Sequence, residues 1–74
     1  MGNLAGLNGQ RVLRAFERLG WILVRVNGSH HVLEAAGRPT VVLPIHSGKP
    51  VKEGTLRGVL KLAGLSVDVF RRYY

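Results

Sequence analysis

The sequence contains no cysteine. That excludes disulfides, thiol nucleophiles and cysteine-based zinc sites. Small secreted domains lean on such staples, so a reducing, cytoplasmic setting is the expectation. Carboxylates are scarce: four Asp and Glu stand against eleven Lys and Arg in 74 residues, a formal charge of +7. No apolar run approaches the roughly 20 residues of a membrane span. The opening residues, Met1-Gly2-Asn3-Leu4, show no basic stretch leading into an apolar one, so no signal peptide is expected. Repeats, low-complexity tracts and linkers are also missing, so residues 1–74 read as one domain with a flexible lead over 1–6. A two-domain enzyme with a deep cleft is excluded by length.

What is present is globular in character. Apolar residues make up 46% of the chain, too many for a disordered segment. A charge of +7 on so small a body exceeds what solubility needs. It favours a polyanionic partner: RNA, DNA, an acidic protein or an anionic membrane. Arg outnumbers Lys eight to three, and its planar fork suits phosphate or carboxylate.

Residues 7–20 read as a helix. Asn8 is the candidate N-cap, Leu7 and Val12 a candidate hydrophobic staple, and Gly20 the stop. Val12, Leu13, Phe16 and Leu19 form its apolar face. Residues 21–26 are aromatic and β-branched and read as a strand. Asn27-Gly28 is a strong hairpin signal, followed by strands over residues 29–35 and 40–45. Pro44 marks the end of the last strand or a sheet edge. Residues 46–50 are loop. A second helix covers 53–64, with Leu56, Val59, Leu60 and Ala63 inward, and Ser66 caps a short third helix. Helices on one face of a three-stranded antiparallel meander make a two-layer α+β domain.

Strand parity separates the two adjacent histidines. With Asn27-Gly28 as the two turn residues, Val26 pairs with Ser29 and Arg25 with His30. Ile22, Val24, Val26, Ser29, His31 and Leu33 then face the helices. Trp21, Leu23, Arg25, His30, Val32 and Glu34 share the open face. His30 is thus an open-face histidine beside Arg25, and His31 a half-buried one. A metal set of His30, Glu34 and His46 has no supporting spacing. A lone histidine suits one substrate class well. RNA carries its own nucleophile, the 2′-OH, and a positioned imidazole moves the proton while a nearby Arg or Lys offsets phosphorane charge.

At Gly28-Ser29-His30-His31 the sequence resembles the HicA family of toxin ribonucleases, the mRNA interferases. The likeness spans nearly the whole chain. It includes Gly20-Trp21, Val24-Arg25, Val42-Leu43-Pro44-Ile45-His46, Gly54-Thr55-Leu56-Arg57 and Lys61 to Leu65. The resemblance implies a fold like a double-stranded-RNA-binding domain, helix–three strands–helix. It implies metal-independent cleavage of mRNA, growth arrest, and a HicB-type antitoxin that covers the active site. The histidine after Gly-Ser, here His30, is the catalytic residue it implies. Glu53 stands where the family pattern has proline, and Leu33 where an aromatic is common; both positions are structural.

The remaining candidates are RNA contacts. They are Arg25, Gly28 and Ser29 at the hairpin, His31 behind it, and His46, Lys49 and Lys52 on the following loop. His31 reads more readily as a packing residue than as a catalytic one. Arg71, Arg72, Tyr73 and Tyr74 suit either RNA stacking or a fraying end. The expected partners are mRNA and the antitoxin, with no membrane, metal or small-molecule cofactor. The competing readings are a non-catalytic RNA-binding module of the same fold and a basic interaction protein.

Overall fold

The computed structural model describes residues 3–74. The chain runs β1 (Leu7–Asn8), α1 (Gly9–Arg18), β2 (Ile22–Asn27), β3 (His30–Glu34), β4 (Val41–Pro44), β5 (Pro50–Val51), α2 (Glu53–Ala63) and α3 (Val67–Tyr73). Strands β2, β3 and β4 form an antiparallel sheet in that order, with β3 central. Strands β1 and β5 form a separate two-stranded antiparallel ribbon. The α+β class and the helix–three-strand–helix order agree with the reading of the sequence.

The helices follow local rules. Asn8 is extended, and its side chain accepts from Arg11 N, the bond expected of an N-cap. At the other end, Gly20 N donates to Glu17 O at 3.1 Å and Trp21 N to Phe16 O at 3.0 Å. That pair of bonds is a Schellman ending, and it brings the residue after the glycine back onto the helix. The Trp21 and Phe16 rings accordingly meet edge to face, centroids 5.6 Å apart. The same pair recurs after α2, with Gly64 N to Lys61 O and Leu65 N to Leu60 O. Ser66 caps α3 by accepting from Val69 N at 3.1 Å.

Four expectations need correction. First, Leu7 and Asn8 are not helical. Asn8 keeps the extended backbone of a cap, so its main chain is free to pair with Pro50 while Leu7 pairs with Val51. Second, the lead is not loose where it is described: Leu4 is fully buried in the core. Met1 and Gly2 lie outside the described residues. Third, the hairpin turns one residue later than Asn27-Gly28. Asn27 pairs with His30, leaving Gly28 and Ser29 as the central residues. Gly28 has φ +62° and Ser29 is not in the positive-φ region. That combination is a type II′ turn, which takes glycine at its first central position.

The fourth correction concerns the faces of β2. The register shifts between Leu23 and Arg25, so Val24 is a bulge residue. A bulge reverses the parity of everything beyond it. Leu23 therefore turns inward opposite Leu33, and Ile22 turns outward, 66% exposed. Val24 and Val26 are exposed as well, rather than covered by the helices. Trp21, expected on the open face, is 1% exposed. Its Nε1 donates to Pro39 O, and the Arg38 guanidinium lies 3.7 Å from the indole centroid. Arg38 also donates to Leu19 O at 2.7 Å, so it closes the end of α1.

The core joins Val12, Phe16, Trp21, Leu33, Val41, Leu43, Leu56, Leu60 and Phe70. Residues 71–74 belong to this packing rather than to a frayed end. The Tyr74 hydroxyl accepts from Asn8 N, and Arg11 stacks over its ring while donating to its carbonyl. Arg18 donates to Tyr73 O.

One close approach fixes the start of α1. A Cβ on Gly9 would lie 2.6 Å from Ile45 Cγ2, and Ile45 is itself buried. Gly9→Ala is expected to lose about 1–3 kcal/mol through overpacking. That exceeds the ~0.4–1 kcal/mol gained by stiffening the unfolded chain. A lowered urea midpoint would show it; an unchanged one would mean Ile45 moves aside freely.

Candidate active site at the hairpin tip

The β2–β3 hairpin places the two histidines on opposite sides of the central strand. On the open face, Arg25 pairs with Val32, which pairs with Val42. The next row toward the turn is Asn27, His30 and Pro44. His30 and Arg25 are therefore diagonal neighbours, not the direct partners that a turn at Asn27-Gly28 predicts. Diagonal positions are within reach of a long side chain. Both residues are exposed, whereas Val32 between Arg25 and Val42 is 7% exposed. The open face thus offers an imidazole and a guanidinium beside an apolar centre.

His31 lies on the inner side, opposite Val26 and Leu43, and is half-buried. Its Nδ1 is 2.9 Å from Ser29 O. A carbonyl only accepts, so Nδ1 carries the proton and Nε2 is the nitrogen left for other chemistry. The same Ser29 carbonyl accepts from Ile45 N at 2.8 Å. One main-chain oxygen therefore orients His31 and ties the turn to the end of β4.

Beyond β4 the chain turns again. Lys49 N donates to His46 O at 3.1 Å, and Gly48 has φ +75° while Ser47 is not in the positive-φ region. This is a type II turn, which places glycine at its third position. It carries His46 and Lys49 into the lining of a cleft of about 620 Å³. Gly28, His31, Asn8 and Gln10 also line that cleft.

The expected RNA contacts accordingly divide. Arg25 joins His30 on the open face. Gly28, His31, His46 and Lys49 meet at the cleft. Ser29 contributes its carbonyl at the tip, and Lys52 is exposed at the N-cap of α2 without lining the cleft. His30, Glu34 and His46 are not brought together; among the described residues no three His, Asp or Glu side chains are placed to hold a metal. Asn8 and Gln10 went unnoticed as cleft residues. Asn8 announces itself only as a cap, and nothing in the spacing of Gln10 points there.

Fold and site together define a small basic α+β domain with an exposed histidine at the turn of its central hairpin. A family model of the HicA toxins of bacterial toxin–antitoxin systems matches residues 9–65, so the chain belongs to that family. No curated protein gave a match. Among the described residues, no helix is long and apolar enough to cross a membrane.

Proposed function

We propose that this toxin is an endoribonuclease acting on mRNA, with His30 as its general acid or base. The observation that carries the reading is the exposed His30 at the hairpin tip, one ladder row from Arg25 on the open sheet face. In the proposed reaction the 2′-oxygen attacks the adjacent phosphorus. The O2′–P bond forms, the P–O5′ bond breaks, and a 2′,3′-cyclic phosphate results. His30 either accepts the 2′-OH proton, with water protonating the departing 5′-oxygen, or as an imidazolium protonates the 5′-oxygen, with water taking the 2′-OH proton. Arg25 stabilises the charge that builds on the phosphoryl oxygens. The nucleophile belongs to the substrate, so the scheme runs without a metal.

A HicB-type antitoxin inhibits the activity in this reading by covering His30. A toxin–antitoxin complex that left His30 open to solvent would contradict that. The direct test is incubation of purified protein with single-stranded RNA in excess EDTA. Cleavage is expected to persist, with cyclic phosphate ends. Binding without cleavage would favour the RNA-binding module instead. RNA affinity is expected to fall with log[salt] with a slope of roughly 0.7 per phosphate contact; a salt-insensitive protein would sink both RNA readings.

A further inference from the structure

The cleft behind the hairpin has a composition that the proposed chemistry at His30 does not use. Two imidazoles and one ammonium, from His31, His46 and Lys49, line it. None of its lining residues is acidic among the described residues. Asn8 and Gln10 add neutral polar groups to its lining. His31 is held through Nδ1 to Ser29 O, so its ring is fixed before any ligand arrives. With Nδ1 given to that carbonyl, Nε2 can donate to a phosphate oxygen in the imidazolium form, in which both ring nitrogens carry protons. The type II turn brings His46 and Lys49 together in the lining.

We propose that this cleft is a second phosphate subsite, taking a further backbone phosphate of the RNA strand held at His30. The inference rests on the RNA reading for the identity of its ligand. The hairpin tip between the two sites is Gly28-Ser29, with almost no side-chain bulk. A polynucleotide can therefore pass over the tip, with one phosphate on the open face and another in the cleft. His31, adjacent to His30 in sequence but on the other side of the strand, then belongs to binding rather than to core packing.

The test uses the full chain and a single-stranded RNA carrying 2′-O-methyl groups at every position. That probe lacks the nucleophile and separates binding from cleavage. Imidazole ring signals of all three histidines are followed by NMR during titration. His31 and His46 are expected to shift together with His30. His46→Gln and Lys49→Gln, both on an exposed turn, are each expected to weaken binding by about tenfold, the scale of a lost charge-assisted contact. The salt slope of the double variant is expected to fall by roughly 0.7. A parallel titration with inorganic phosphate distinguishes sources. Shifts with both ligands indicate a general phosphate site, and shifts with RNA alone a site for the backbone diester; either supports the subsite. Movement of His30 alone, or variants that bind like the wild type, would overturn it. If wild-type protein cleaves no RNA yet His31 and His46 respond, the nuclease reading falls and the subsite stands.

Discussion

Replacing His30 by alanine is expected to slow RNA cleavage by about 10²–10⁴-fold, the usual contribution of one general acid or base. The folded state should hardly notice. His30 is exposed, and such surface changes stay within about 0.5 kcal/mol. The measurement is single-turnover cleavage in excess EDTA, wild type beside variant, with a thermal melt of each. A variant that melts normally and no longer cuts isolates the imidazole. If both proteins cut equally, the proton is moved elsewhere, and His46 is the next histidine to replace. Arg25→Ala supplies the companion measurement, since it should lower the rate without removing the proton-transfer group.

Trp21→Ala is expected to have the largest effect on stability. The indole is 1% exposed, donates to Pro39 O at 3.0 Å, meets Phe16 edge to face and carries Arg38 on its face. Truncating a buried tryptophan costs about 3–5 kcal/mol, a large share of the ~5–15 kcal/mol that holds a domain folded. At roughly 4–8 °C per kcal/mol for a domain of this size, the melting point should drop by on the order of 20 °C. Circular dichroism melts would show it directly. A drop of only a few degrees would mean that Arg38 and Pro39 close over the gap.

The parts of this molecule that were legible in the sequence are those governed by short-range rules. Asn8, Gly20, Gly64 and Ser66 mark helix ends because each answers a local hydrogen-bond need. The inner face of α2 follows from its apolar spacing. His30 was placed on the open face correctly even though the turn was put one residue early. Between the bulge and the turn, the expected and the observed registers both pair odd positions of β2 with even positions of β3, so the face is the same while the partner differs. The bulge at Val24 was not legible, because no residue there differs in type from an ordinary strand residue. Its effect on Trp21, Ile22 and Leu23 was therefore missed. The β1–β5 ribbon was hidden for another reason: a two-residue strand is too short to carry a period. The cleft, finally, is a tertiary object. Its walls come from residues 6–10, from 26–31 and from 45–50, and no local pattern joins them.

The ribbon has a consequence for the order of folding. It joins positions 7 and 8 to positions 50 and 51, so the whole β2–β3–β4 sheet lies within the loop it closes. Chain closure on that scale brings its entropic cost before its contacts give a return. The hairpin and the helices draw on nearby residues and are expected to form before the ribbon. Since the ribbon and its flanks build the rim that carries His46 and Lys49, an incompletely folded chain has the hairpin histidines without the cleft. Any ligand of the cleft therefore binds only the fully folded chain, and by mass action it holds that chain closed against unfolding.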